Sequence, residues 1–125
     1  MKKIMIASDI HGSAYYCRKM LDIYSESGAG RLVILGDILY HGPRNDLPRE
    51  YAPKEVIAML NPLKNQIYAI RGNCDTEVDQ MVLEFPILAD YGLLVLEGKV
   101  FYATHGHVYN QDHLPPCLLY TSPSP

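Results

Sequence analysis

At 125 residues the chain is long enough for one domain that buries roughly two-thirds of its unfolded surface, and a second domain is not expected. Hydrophobic residues make up 48% and charged residues 20%, which is the balance of an ordinary globular protein and excludes a disordered or membrane-spanning one. The formal net charge of -3 argues against a dedicated duplex-binding module, whose phosphate contacts are made largely by Lys and Arg.

The chain opens with Lys2 and Lys3 followed by an apolar run, but that run is too short for a signal peptide and Asp9 ends it. No stretch approaches the ~18 to 20 apolar residues needed to cross a bilayer, so no membrane association is expected. Cys17, Cys74 and Cys117 are odd in number and lack framework spacing, which points to a reducing cytoplasm.

Residues 3–8 form a short apolar run bounded by Asp9 and Gly12, and residues 31–35 form another between Gly30 and Gly36; both read as buried parallel strands. Between them, residues 13–27 carry Tyr16, Met20, Ile23 and Tyr24 at helical spacing, with Ser13 as N-cap and Gly28 at the end. The unit is βαβ. A polar loop over 40–51 precedes a second helix, with Pro53 in its first turn and Val56, Ile57 and Leu60 facing inward. Residues 66–70 read as a third strand. Residues 87–90, 93–96 and 100–104 are further strand candidates, the last two joined by a tight turn at Glu97-Gly98-Lys99. The expected fold is α/β, a mixed sheet with flanking helices. The proline-rich stretch 114–125 has no periodicity and is expected to be a non-native or disordered tail after a domain over 1–113.

In open α/β sheets ligands bind beyond the carboxyl ends of the strands. Asp9 and His11 follow the first strand, Asp37 the second, Asn73, Cys74 and Asp75 the third, and His105 and His107 the last. Imidazole nitrogen with carboxylate and amide oxygen suits divalent metals of intermediate hardness, namely Mn, Fe, Zn, Co or Ni. Two ions fit better than one, because a close pair needs a bridging carboxylate and clamps the attacking and leaving oxygens of a phosphoryl group. Asp37, alone on its loop, is the natural bridge. Taken singly, each residue has a structural excuse: Asp9 or Asp37 as a helix cap, Asn73 in a left-handed turn, His105 at a strand end. It is the ordered set that carries the reading.

Asp9-x-His11, Gly36-Asp37, Gly72-Asn73 and His105-Gly106-His107 resemble, in order, the metal motifs of the calcineurin-like metallophosphoesterases, and residues 35–45 with Gly-Asn-Cys-Asp resemble the small bacterial YfcE-type phosphodiesterases. The resemblance implies the N-terminal part of an α/β/β/α sandwich and Mn-stimulated hydrolysis of phosphate esters by a hydroxide activated between two cations. Asp9 and His11 would hold one metal, Asn73 and His105 the other, and Asp37 both. The family completes its site with a later Gly-His-x-His motif; this chain has none, and the lone His113 does not match it, so the C-terminal part is expected to be absent.

Cys74 stands where many relatives have His, and a thiol beside two cations would deprotonate and make a poor proton donor, which would favour esters with good leaving groups. Asp75 is expected to orient neighbouring ligands. With Cys74 and Asp75, His107 is a candidate of the catalytic site, where it either supports the ligands or meets substrate; the alternative is that it is simply exposed. Arg44 and Asn73 are the candidate substrate contacts, with His41 near them, and Tyr40 and Tyr109 could stack on a base. The expected partner is a small phosphoester, with nucleic acid entering only as a nucleotide-type substrate and a homo-oligomer left open. The rival readings are a binding scaffold of the same fold and an inactive fragment.

Overall fold

The computed structural model describes residues 3–42 and 46–106. Its elements run β1 (Ile4–Ala7), α1 (Ala14–Ser27), β2 (Arg31–Ile34), α2 (Pro53–Leu60), a single 3-10 turn at Asn61–Leu63, β3 (Ile67–Ala69), α3 (Glu77–Val82), β4 (Gly92–Leu96) and β5 (Lys99–Ala103). β1, β2 and β3 form a parallel sheet in that order, with Ile4 opposite Arg31, Ala7 opposite Ile34 and Ile34 opposite Ala69. β4 and β5 pair antiparallel in a separate two-stranded sheet. Parallel and antiparallel pairings are thus both present, as expected, but in two sheets among the described residues rather than in one mixed sheet.

The Ser13 hydroxyl caps α1 by accepting the Tyr16 N–H at 3.1 Å, and Gly28 ends the helix at φ 74, a left-handed conformation glycine adopts without strain. The buried face is Cys17, Met20 and Tyr24, whereas Tyr16 and Ile23 are exposed. Of the expected stripe Met20 and Tyr24 are buried; the aromatic Tyr16 and branched Ile23 suggest a wider face than forms, and the inconspicuous Cys17 takes the place of Tyr16 on the buried side. α2 begins at Pro53 as expected and buries Val56 and Leu60. These side chains meet Leu32 and Ile34 of β2 and Ile67 of β3 in one core, each large apolar group contributing about 1.5–3 kcal/mol when fully buried.

The strand expected over 87–90 does not form. Pro86 precedes it, the Ile87 N–H donates to the Gln80 side chain at 2.8 Å, and Ala89 O accepts the Arg71 N–H at 2.7 Å, so the segment ties α3 to the end of β3 while Ile87 fills the core. α3 itself is unanticipated. Thr76 and Asp79 close a capping box at its start, and the helix buries no side chain, which is why it lacks a periodic signal. The turn of the β4–β5 hairpin places Glu97 and Gly98 at φ 51 and 79, the mirror-image turn that matches strand twist. The hairpin is held to β3 where the Leu93 N–H donates to the Tyr68 hydroxyl at 3.2 Å, and Leu93, Val95, Val100 and Phe101 remain exposed. Among the described residues no helix is long and apolar enough to cross a membrane. The tail expected over 114–125 lies outside the described residues.

Candidate metal centre

The loops after β1 and β2 are stitched together by main-chain bonds: the Asp9 N–H donates to Gly36 O at 3.1 Å, His11 N–H to Asp37 O at 2.8 Å and Gly12 N–H to Ile38 O at 2.8 Å. Asp9, His11 and Asp37 all take positive φ, 60, 50 and 55. Left-handed backbone is uncommon outside glycine and is retained where surrounding structure enforces it, often at functional sites. The loop after β3 comes equally close. A Cβ on Gly36 would lie 2.2 Å from Gly72 N, and one on Gly72 would lie 2.3 Å from Asp37 Oδ1, so both positions require glycine.

This backbone brings Asp9, His11, Asp37, Asn73 and His105 into one cluster around the Asp37 carboxylate. His11 Nε2 lies 3.0 Å from Asp9 Oδ1 and 3.6 Å from Asp37 Oδ2, and His105 Nε2 lies 3.2 Å from Asp37 Oδ2. The other nitrogen of each ring faces a main-chain carbonyl, His11 Nδ1 to Tyr40 O at 2.8 Å and His105 Nδ1 to Leu35 O at 2.6 Å. A carbonyl only accepts, so Nδ1 carries the proton, and in the neutral ring a bare Nε2 faces the carboxylates. The Asn73 amide oxygen lies 2.8 and 3.2 Å from the Asp37 oxygens and 3.0 Å from His105 Nε2; turned over, its NH2 would donate to all three. The choice between those orientations is set by what occupies the centre. A cation selects the oxygen.

The donor set fits a metal pair. Asp9, Asp37 and His105 form one group whose ligand atoms lie within 4.8 Å of one another, and His11, Asp37 and Cys74 form another. Asp37 belongs to both, as a bridge must. The groups interleave rather than separate Asp9 with His11 from Asn73 with His105, because the whole cluster is compact.

Burial pushes the Asp37 carboxyl up and the neighbouring Asp9 adds to it, although the Cys74 N–H, donating at 2.8 Å, and His105 oppose the rise. Burial also works against ionised Asp9, but the Ser8 hydroxyl, Asp37 and His105 outweigh it and hold Asp9 below the usual carboxylate range. Two carboxylates so close repel, and the buried one takes the burden. Burial, then the negative charge of Asp37 and Asp75, pushes the Cys74 thiol up. The lowering expected from sequence would therefore have to come from cations alone.

Asp75 is buried, and its carboxylate accepts the N–H groups of Asp37 and Gly72 at 2.7 Å and of Ile38 at 3.0 Å, locking two ligand loops together. His41 packs between the Tyr40 and Tyr51 rings, with centroids 4.9 and 5.1 Å away. Arg44, His107, Tyr109, His113 and Cys117 lie outside the described residues. Sequence reasoning missed the carbonyls of Leu35 and Tyr40 that orient the two histidines, and the Ser8 hydroxyl on Asp9. Main-chain atoms leave no residue-type signal. The Ser8-Asp9 adjacency was the visible clue.

The family model for calcineurin-like phosphoesterases matches residues 2–120. Phosphodiesterase YfcE of Escherichia coli, strains K12 and O157:H7, is 50% identical over 115 residues, covering 92% of this chain and 62% of the relative. The chain therefore spans less than two-thirds of the length of these curated relatives. A solved structure of E. coli Yfce, described as a phosphoesterase, superposes with a TM-score of 0.87 over 90% of this chain and 62% of that one. A conserved uncharacterized protein from Streptococcus pneumoniae TIGR4, 20% identical with a TM-score of 0.50 over 94% of this chain and 52% of its own, shares the fold. The chain belongs to the calcineurin-like phosphoesterase family.

Proposed function

We propose that this chain supplies a metal-holding centre for hydrolysis of phosphodiesters, using two divalent cations, Mn first among Mn, Fe, Zn, Co and Ni. The observation that carries the reading is the convergence of two carbonyl-oriented imidazoles, the Asn73 amide and the Asp9 carboxylate on Asp37. A mixed nitrogen and oxygen donor set of that kind suits cations of intermediate hardness. Half-identity to a phosphodiesterase supports the choice of diester.

Asp9, His11, Asp37, Asn73 and His105 would hold the cations, with Asp37 shared. Bound there, such a pair activates a water for attack and neutralises charge on the phosphoryl oxygens. The chain's own contribution is positional. Leu35 and Tyr40 fix the ring orientations, Asp75 locks the loops, and the Cys74 N–H holds one Asp37 oxygen. Arg44 and Asn73 are assigned to substrate contact, and Cys74, Asp75 and His107 to the catalytic surroundings. The substrate is a small, nucleotide-type or simpler diester. The free thiols of Cys17 and Cys74 suit a cytoplasmic setting.

The test is Mn titration of the chain by calorimetry and thermal unfolding, with release of nitrophenol from bis(4-nitrophenyl) phosphate followed in parallel. Mn should raise the unfolding temperature, Asp37→Ala should abolish that rise, and the diester should be cleaved only with metal. Absence of Mn binding would sink the reading. Binding without turnover would make the chain a scaffold and overturn the enzymatic part.

A further inference from the structure

Joined to the metal centre through Tyr40 is a groove of about 330 Å³, walled by Leu39, Tyr40, Tyr51, Ile57, Val78 and Val82. That is the lower end of the ~300–1,000 Å³ typical of small-molecule sites. Two of the loops that build the centre, those after β2 and β3, continue into it. Leu39 and Tyr40 follow Asp37 in the chain, and Tyr40 does two things: its carbonyl accepts from His11 Nδ1 while its half-exposed ring forms a wall. On the opposite side Thr76 follows Asp75, the residue that clamps Asp37. Through Tyr40 the groove adjoins the cluster, which makes it a candidate recess for one ester substituent of a phosphoryl group held there.

The walls state what that substituent is. Tyr40 and Tyr51 both line the groove, and His41 holds them in place behind it by edge-to-face contacts at 4.9 and 5.1 Å, so two aromatic side chains are available to a planar guest. Val78 is 69% exposed and Val82 43%, so apolar surface stands open to water here without serving the core. The polar groups are few and engaged: Asp79 and Thr76 satisfy one another in the capping box of α3. Among the described residues of the wall the one charged side chain, Asp79, is acidic and does not favour a second phosphate.

Resting on the phosphodiesterase reading above, we propose that this groove is the subsite for a flat, uncharged aromatic substituent of the diester, an aryl group or a base, and that it sets preference for aryl over alkyl esters.

The test uses fluorine NMR on the Zn-loaded chain with two probes, bis(4-fluorophenyl) phosphate and bis(2,2,2-trifluoroethyl) phosphate, and inorganic phosphate as competitor. The aryl probe should bind roughly tenfold tighter than the alkyl one. Val78→Glu, at an exposed first-turn position where an acidic residue suits the helix, should bring the two within about twofold while phosphate binding stays unchanged. Val82→Gln should act in the same direction. Equal affinity of the two probes with phosphate binding intact overturns the groove assignment and leaves the metal centre standing. Failure of phosphate to bind at all overturns the phosphoesterase reading and this inference with it. If instead Val78→Glu changes the mass of the chain in solution, the patch is a contact between copies and the assignment is wrong.

Discussion

The Asp75 carboxylate accepts the Asp37 N–H at 2.7 Å, so a residue outside the ligand cluster sets the position of the one carboxylate that every ligand approaches. Its other acceptor contacts, to Ile38 and Gly72, make it the joint between the loops after β2 and β3. Asp75→Ala leaves three buried donors unpaired at about 1–3 kcal/mol each, and loss of a cooperative unfolding transition is expected. Asp75→Asn keeps one acceptor oxygen; it should still fold, with Mn affinity reduced about 10–100-fold, as measured by calorimetry. Unchanged affinity in the folded Asn variant would show that Asp75 is only structural.

The strand-ends were legible because β1, β2 and β3 are short apolar runs whose next polar residue is a candidate ligand, and because Gly36 and Gly72 flag a close approach that the structure shows to be mutual. What could not be read is carried by main chain. Nothing in the type of Leu35 or Tyr40 announces that its carbonyl orients a histidine, and nothing in Asp9, His11 or Asp37 announces a left-handed backbone. α3 was a different failure. Its Thr76–Asp79 box stands in the sequence, but with no side chain buried there is no periodic stripe to draw attention to it.

The glycine contacts separate steric necessity from mere turn preference. Gly28 is at φ 74 with open space around it, so Gly28→Ala should lower stability by only about 1 kcal/mol. Gly72→Ala puts a methyl 2.3 Å from Asp37 Oδ1 and 2.6 Å from Asp37 N, backbone that cannot give way. Its loss should be at least twice as large in urea unfolding, with Mn binding lost alongside. A Gly72→Ala protein as stable as Gly28→Ala, with intact Mn binding, would contradict the geometry.

Asn73→Asp asks which way the amide faces. A third carboxylate beside Asp37 and Asp9 should lower the metal-free unfolding temperature through like-charge repulsion, which can reach a few kcal/mol at these separations. If Asn73 offers its oxygen to a cation, the variant offers a charged one, and the rise on saturating Mn should exceed that of the parent. A smaller rise would mean that the amide serves the cluster as a donor.

Cys17 supplies a test of the core that is independent of the metal. It is fully buried on α1, and burial pushes its thiol from 9.0 up to about 11, with nearby Arg18 opposing only weakly. Below about pH 9 both folded and unfolded chains carry the neutral thiol, so Cys17 adds no pH dependence there. Above it the unfolded chain ionises first, and stability falls until the folded thiol ionises near 11. Two units at about 1.36 kcal/mol each give a loss of roughly 2–3 kcal/mol across that window. Tyr51 and Cys74 are also raised, each by burial first, so the parent alone would mix several slopes. The difference between parent and Cys17→Ala isolates one. Under reducing conditions the variant should start less stable at pH 8, because it leaves a cavity, and the gap should close as pH rises toward 11. Parallel urea-unfolding curves across that range would show that the thiol does not sit in the apolar interior where α1 meets the sheet.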